Sequence, residues 1–281
     1  MGKFDGFLLA SDFDNTLVDS DAAIRTGTGI PAVSPENCAA IRAFMAEGGR
    51  FAISTGRALP AFRAFAPGVP MNAPGVVCNG AALYDFAQEK YVYTAFLDET
   101  VRARGTAVLT RFPAVGCEIY HESDTIHVVQ PNRFTEQHRH LTHVGACQVP
   151  DLESATEPCA KLLFEAERQE LDGVVSLMEE TGWAADYELI FSSDHLLELT
   201  ARGANKGGMV LRLAELLGVS RRHIYCIGDH ANDLPMLSVA SMAFAPENCI
   251  DAVRQSGARI VPACGNHALA AVIDILGRER A

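Results

Sequence analysis

The chain has 281 residues, of which 48% are hydrophobic and 21% are charged, and its formal net charge is −12. This composition is typical of a globular protein with a buried core, and the length suits one large domain or two ordinary ones. The acidic balance argues against a nucleic-acid partner, and no apolar run of about 18 residues predicts a membrane span.

The cysteines give an expectation about the cellular compartment. The chain has eight cysteines, and no pair of them has the CxxC spacing of a zinc knuckle or a thioredoxin-type site. Several lie in apolar runs, which is typical of buried free thiols in a reducing environment. The first residues show no basic-then-apolar leader, so we expect a cytoplasmic protein.

The predicted elements begin with a short apolar strand at residues 7–10, which leads directly to Asp12. A helix capped by Ser34 follows, and a glycine pair ends it. Two further apolar strands are expected at residues 50–55 and 75–78. Continuous apolar strands that alternate with helices predict an α/β fold with a Rossmann-like, doubly wound parallel sheet.

The pattern changes after residue 83 and returns near residue 196. Residues 84–96 alternate like a hairpin, and a strand at 160–166 precedes a helix. An amphipathic helix is then predicted at 206–217 and a strand at 223–228. We therefore predict a discontinuous catalytic core, residues 1–82 plus 197–281, with an α+β cap inserted at residues 83–196.

Two carboxylates, Asp12 and Asp14, follow the first strand. Ligands of open parallel sheets bind at this edge, and side chains two apart in an extended segment share a face. Such close carboxylates are costly unless a cation lies between them or one is protonated. Taken alone, the Asp-x-Asp-x-Thr pattern is equally typical of a calcium-type or capping turn.

A second acidic pair, Asp229 and Asp233, follows the predicted strand at 223–228 and therefore reaches the same edge. Hard oxygen ligands gathered in this way suit Mg²⁺, which keeps waters for a phosphate substrate. The alternative is a polar loop that caps the helix beginning near Leu234, and such capping does not exclude metal binding.

Two further segments are suited to bind an anion. Thr55 and Gly56 end the second strand, where a hydroxyl and free backbone amides form an anion site. Lys206 opens a helix, a position that is unfavourable for the helix dipole and therefore favours a functional role. Each segment is ordinary alone, but together they predict a phosphate site at one sheet edge.

These motifs resemble those of the haloacid dehalogenase superfamily, in particular its Cof-type branch, subfamily IIB. The matching segments are residues 12–17, 54–57, 206–207 and 228–237, and residues 79–81 resemble the Asn-Gly-Ala turn before the cap. The resemblance covers essentially the whole core. It implies a cap of the C2B type between the second and third motifs.

The resemblance also implies a chemistry, that of a phosphoric monoester hydrolase. Asp12 would attack phosphorus, and Asp14 would protonate the leaving group and then activate water. Mg²⁺ would be bound by Asp12, Asp229 and the Asp14 backbone carbonyl, with Asp233 orienting that shell. Substrate and phosphate contacts would come from Thr55, Gly56, Arg57, Asn79, Lys206 and Asn232.

The predicted function is therefore a Mg²⁺-dependent phosphatase of small phosphorylated metabolites such as sugar phosphates, acting through an aspartyl-phosphate on Asp12. A phosphomutase or phosphotransferase on the same fold, and a catalytically silent binding protein, are the alternatives. The substrate and the oligomeric state stay open.

Some features depart from the family pattern or invite a second interpretation. Asn15 stands where the family commonly has Gly, His230 occupies a usually small or acidic position, residues 243–248 are atypical, and the 19–33 loop is long. Arg57 either contacts substrate or pairs with a carboxylate. His138, His140 and His143 resemble a metal cluster, but we interpret them as a solvated helix face. Trp183 and Tyr187 could contact a sugar ring, but we interpret them as packing aromatics.

Overall fold

A computed structural model describes residues 2–279 of the chain. Its strands are β1 (Leu8–Ser11), β2 (Arg50–Ile53), β3 (Gly75–Val77), β4 (Ala82–Asp85), β5 (Lys90–Thr94), β6 (Gly116–Tyr120), β7 (Thr125–Val129), β8 (Gly145–Gln148), β9 (Lys161–Glu165), β10 (Tyr187–Ser193), β11 (Leu196–Ala201), β12 (Ile224–Ile227), β13 (Met242–Pro246) and β14 (Arg259–Val261).

The helices within the same residues are α1 (Ser20–Thr26), α2 (Pro35–Ala46), α3 (Leu59–Arg63), α4 (Val101–Arg111), α5 (Arg133–Thr142), α6 (Arg168–Glu180), α7 (Lys206–Leu217), α8 (Leu234–Val239), α9 (Asp251–Arg254) and α10 (Ala268–Glu279). None of these helices is long and apolar enough to cross a membrane.

The first sheet contains five parallel strands in the order β14-β13-β12-β1-β2. Its strands are short and apolar because both faces are covered. Leu9 packs with α2 and α10 on one face, while Leu8 and Ala10 pack with α7 and α8 on the other. The predicted α/β fold with a doubly wound parallel sheet is therefore confirmed.

A three-stranded sheet, β3-β4-β5, continues from the edge of the first sheet. A single parallel bridge joins Ser54 to Val76, and the remaining pairing of β3 is antiparallel, with β4. The hairpin predicted at residues 84–96 is present as β4 and β5. It extends β3 rather than the larger sheet that follows.

The second large sheet is mixed and has the order β10-β11-β9-β6-β7-β8. Its apolar face packs against α4 and α6, for example through Ile119, Leu162 and Leu199. The opposite face, which includes Tyr120 and Leu163, packs against α3 and β4.

The domain boundaries predicted after residues 82 and 196 both fall inside strands, β4 and β11 respectively. The division into core and cap stays a prediction.

The predicted solvated face of α5 is wrong at one position. His140 and His143 are exposed, but the side chain of His138 is only 19% exposed and contacts Glu118 and Glu165 on the sheet. The helix therefore uses a polar side chain to pack against a polar part of the sheet. Tyr187 is buried in the apolar cluster beneath α4 and α6, and Trp183 packs against that cluster, as predicted.

Three functional segments meet because parallel strands present their carboxyl ends at one edge. Asp12 follows β1, Thr55 lies two residues beyond β2, and Asp229 lies two residues beyond β12. The strand register fixes this convergence, since Ser11 is paired with both Ile227 and Ile53. The sheet edge is thus a polar site set above an apolar core.

Candidate active site

Lys206 is the centre of the site. It opens α7 after Asn205, whose side chain caps the helix by accepting the N–H of Gly208. The Lys206 ammonium lies 2.6 Å from Asp12 Oδ1 and 2.6 Å from Asp233 Oδ1, and its side chain is 1% exposed. A buried ammonium requires such partners. The role of Lys206 toward a phosphate stays a prediction.

The loop after β12 is organised around Asp233. Its second carboxylate oxygen accepts the backbone N–H of Asp229 at 2.9 Å and that of His230 at 3.1 Å. Gly228 is required here, because a Cβ on it would lie 2.4 Å from Asp233 Cγ. Asp233 therefore orients the loop and Lys206 with both oxygens, and its role beside a metal stays a prediction.

Asp12, Asp229 and Asp233 form a buried group whose carboxylate oxygens lie within 4.8 Å of one another. Burial raises the pKa of Asp12 well above its usual range; Lys206 opposes this shift, and the neighbouring aspartates add to it. Burial, then repulsion from Asp233, raises the pKa of Asp229 to about 7. Thr16 donates a hydrogen bond to Asp229 at 3.0 Å.

This group fits a divalent cation, because hard oxygen donors that repel one another are stabilised by a positive ion. Asp12 and Asp229 are the ligands with free capacity, since Asp233 is already bonded through both oxygens. Two of the predicted metal ligands are thus brought together. The Asp14 side chain contributes to the same field by raising the pKa of Asp12.

Burial also lowers the pKa of Lys206, but the carboxylates of Asp12 and Asp233 raise it by more, so its net shift is upward. The ammonium therefore stays charged across the physiological range. It places a fixed positive charge between Asp12 and Asp233.

Arg57 pairs with Asp14 in a bidentate arrangement, with Nε and one terminal nitrogen at 2.8 and 2.7 Å from the two carboxylate oxygens. Its guanidinium also lies 5.0 Å from the centre of the Phe65 ring. Of the two interpretations of Arg57, this conformation shows the carboxylate pair. Both side chains are partly exposed, at 17% and 30%, so the pair lies at the mouth of the site.

Asn15 explains why a residue other than Gly is tolerated after Asp14. Its φ is 55°, in the left-handed region that asparagine adopts more readily than most residues. Its side-chain oxygen accepts the N–H of Asp21 at 2.9 Å, at the start of α1 in the long 19–33 segment. Its carbonyl accepts a hydrogen bond from Asn248 at 2.7 Å. The atypical 243–248 segment therefore supports the motif that carries Asp12.

Thr55 is fully buried, and its hydroxyl accepts the N–H of Arg57 at 3.1 Å. Gly56 lies against Asn79, because a Cβ on it would be 3.0 Å from the Asn79 amide. Asn79 accepts a hydrogen bond from Asn232 at 2.8 Å. The predicted phosphate-binding residues are thus adjacent, although their roles toward a ligand stay predictions.

Two charged residues of the second large sheet were missed by sequence reasoning. Asn79 donates to Glu198 on β11 at 2.7 Å, and Glu198 pairs with Lys161 on β9 at 2.9 Å. Both charged side chains are almost completely buried. The available signal was a charged residue inside an apolar strand in each case, Lys161 before Leu162 and Glu198 between two leucines.

The parallel sheet with acidic residues and a buried lysine at its edge is typical of one class of hydrolases, and comparison with known proteins identifies the same class. The sequence profile of the haloacid dehalogenase-like hydrolases matches residues 9–273, so the chain belongs to this family. The predicted Cof-type resemblance and the predicted enzyme class, a phosphoric monoester hydrolase, are confirmed.

Individual relatives are distant but are matched over nearly their whole length. The chain is 25% identical to the 5-amino-6-(5-phospho-D-ribitylamino)uracil phosphatase YwtE of Bacillus subtilis, covering 95% of this chain and 97% of the relative. It is 23% identical to the pyridoxal phosphate phosphatase YbhA of Escherichia coli, covering 88% and 90%.

Solved structures agree on the fold. BT1666 from Bacteroides thetaiotaomicron has a TM-score of 0.81 at 18% identity, covering 96% of this chain and 95% of that one. The subclass IIB sugar phosphatase BT4131 has a TM-score of 0.78 at 18% identity, covering 96% and 99%.

Proposed function

We propose that the chain is a Mg²⁺-dependent phosphatase of small phosphorylated metabolites, including sugar phosphates, that works through an aspartyl-phosphate on Asp12. The observation that carries this proposal is the position of Asp12, which is buried between the Lys206 ammonium and the carboxylate of Asp229. Mg²⁺ bound by Asp12, Asp229 and the Asp14 backbone carbonyl would neutralise charge on the transferring phosphoryl group.

The first half of the reaction transfers the phosphoryl group to the protein. The free Asp12 carboxylate oxygen attacks phosphorus, the ester P–O bond breaks, and Asp14 gives its proton to the leaving oxygen. Lys206 holds a non-bridging oxygen, as do Thr55 and the backbone amides near Gly56. To act as the acid, Asp14 is protonated on one oxygen when substrate binds, and that oxygen no longer accepts its hydrogen bond from Arg57. The released guanidinium N–H is then available to the substrate.

The second half returns the protein to its starting state. Asp14, now a carboxylate, takes a proton from water as the water oxygen attacks phosphorus. The bond between phosphorus and the Asp12 oxygen breaks, and inorganic phosphate leaves. Asn79 and Asn232 position the phosphate, and Asp233 keeps Lys206 and the Asp229 loop in place. We also propose a cytoplasmic location, because all eight cysteines are free thiols, as is usual in a reducing compartment.

A substrate panel tests this proposal. Purified protein is assayed for phosphate release from sugar phosphates, nucleotides, phosphorylated cofactors and p-nitrophenyl phosphate, with and without Mg²⁺, beside Asp12→Asn. We expect Mg²⁺-dependent release that the variant lacks. Equal inactivity of both proteins across the panel contradicts the proposal. With a sugar bisphosphate, transfer of the group to a second hydroxyl instead of to water would identify a mutase.

A further inference from the structure

A second polar cluster lies in the larger sheet, away from Asp12. It consists of Glu118 on β6, Glu165 on β9 and His138 on α5. His138 Nδ1 is 3.0 Å from Glu118 Oε2 and 3.3 Å from Glu165 Oε1. Both glutamate side chains are completely buried, and the imidazole is largely covered. Nothing in the proposed phosphatase chemistry uses these residues.

The cluster has more acceptors than donors. Tyr120 donates its hydroxyl to Glu118 Oε2 at 2.5 Å, but Glu118 Oε1 and Glu165 Oε2 have no hydrogen-bond donor and no contact with solvent. The Thr135 hydroxyl lies 3.3 Å from the Asn132 side-chain oxygen and also faces Glu165, whose pKa it lowers. Buried carboxylate oxygens without donors are strongly unfavourable, so the cluster is stabilised either by a proton on Glu165, whose pKa burial raises, or by a further positive group.

Within residues 2–279, no side chain next to the cluster supplies that charge in full. Lys161 is the nearby ammonium, and it is engaged by Glu198 at 2.9 Å. Burial lowers the pKa of His138, but Glu118 and Glu165 raise it by more, to about 9, so without a metal the imidazolium balances one of the two carboxylates. With the imidazole neutral, the two carboxylates carry two negative charges, which a divalent cation balances. The three possible ligand atoms lie within 4.8 Å of one another, close enough to surround one ion.

We propose that Glu118, His138 and Glu165 bind a first-row divalent metal ion, with Zn²⁺ as the best match, separate from the metal of the phosphatase site. One imidazole nitrogen and two carboxylate oxygens suit Zn²⁺, whereas Mg²⁺ prefers an all-oxygen shell. Binding replaces the proton on His138 Nδ1. The ion joins α5 to β6 and β9, so its role is structural.

Zinc binding tests the assignment independently of phosphatase activity. Protein stripped with a chelator is dialysed against micromolar Zn²⁺ in excess Mg²⁺, and bound zinc is counted for wild type, Glu165→Gln and His138→Gln. We expect wild type to hold one more zinc ion than either variant, with at least a 100-fold loss of affinity at that site. We also expect zinc to raise the thermal midpoint of wild type alone.

Two controls keep the result interpretable. His127→Ala removes an imidazole from the other histidine-rich group of the same sheet, His121, His127 and Glu157, and should keep the extra zinc. Glu165→Gln is nearly isosteric and should remain folded in chelator, as its cooperative unfolding will show. Equal zinc in wild type and Glu165→Gln, or zinc lost only in His127→Ala, overturns the proposal and leaves a proton shared within the cluster.

Discussion

Replacing Lys206 with Met separates the electrostatic account of the site from a purely steric one. The methionine keeps most of the side-chain volume but removes the ammonium that lies 2.6 Å from both Asp12 and Asp233. At an effective dielectric constant of about 20, each such contact represents roughly 6 kcal/mol of attraction before desolvation is subtracted. Removing one partner of a buried pair has a net cost of about 3–5 kcal/mol.

We therefore expect Lys206→Met to lose about 3–5 kcal/mol of unfolding free energy in chelator. At about 2–4 °C per kcal/mol for a chain of this size, the melting temperature should fall by roughly 6–20 °C. Urea unfolding followed by circular dichroism measures the first quantity and a thermal scan the second. Phosphate release should fall at least about 100-fold, because the variant loses the ammonium that would stabilise the phosphoryl oxygens.

The double variant Lys206→Met, Asp233→Asn is the matched control. It removes one of the carboxylates left unpaired by the single change, so part of the stability should return. Activity should not return, because the ammonium is still absent. If the free energy of unfolding of the single variant lies within about 1 kcal/mol of wild type, the ammonium does not stabilise the two carboxylates as proposed. Recovery of both stability and activity in the double variant would also contradict this role of the ammonium.

Three further predictions concern acid–base chemistry, pH and backbone packing. Asp14→Asn should slow the first step, release of the alcohol as the protein is phosphorylated, far more for alkyl phosphates than for p-nitrophenyl phosphate, whose leaving group needs no proton, while the later attack by water slows equally for both; equal losses in the first step would contradict the role of Asp14 as acid. The pKa of Asp229 is raised to about 7 without metal, so the free energy of unfolding of metal-free protein should fall as pH rises from about 4 through 7. Mg²⁺ should therefore raise the melting temperature more at pH 7.5 than at pH 5.5. A Mg²⁺ effect that is independent of pH would count against the raised pKa of Asp229. Gly207→Ala should displace α7 and abolish activity, because its Cβ would lie 2.2 Å from the carbonyl oxygen of Pro235, whereas Gly265→Ala, with open space around it, should behave like wild type; similar activities in the two variants would argue against this packing.

Much of the fold follows from short-range rules. The helix predicted at 206–217 occurs with those bounds because Asn205 caps its start and Gly218 adopts a left-handed conformation at its end. The sheet-edge convergence of Asp12 and Asp229 follows from parallel topology, which apolar strands indicate. These features depend on local chemistry that the sequence displays.

Other features depend on contacts between distant segments. Whether Arg57 contacts Asp14 or a substrate depends on the distance between these groups in the folded chain. Their separation along the sequence does not predict that distance. The polarity of α5 suggested solvent, yet His138 points to buried glutamates because the sheet beneath it is polar at that position. The link from Asn79 through Glu198 to Lys161 joins three separated segments, so no local pattern predicted it.

Asp12 is proposed to carry the phosphoryl group, and chemical trapping of that group on the protein identifies the residue that carries it. Wild-type protein turning over a substrate with Mg²⁺ is quenched with borohydride, which reduces an acyl phosphate to an alcohol, and peptides are analysed by mass spectrometry. We expect residue 12 to be converted to homoserine in the presence of substrate, and Asp12→Asn to show neither this product nor turnover. Turnover by Asp12→Asn at a rate near that of wild type, or a reduced carboxylate at another position, would contradict it.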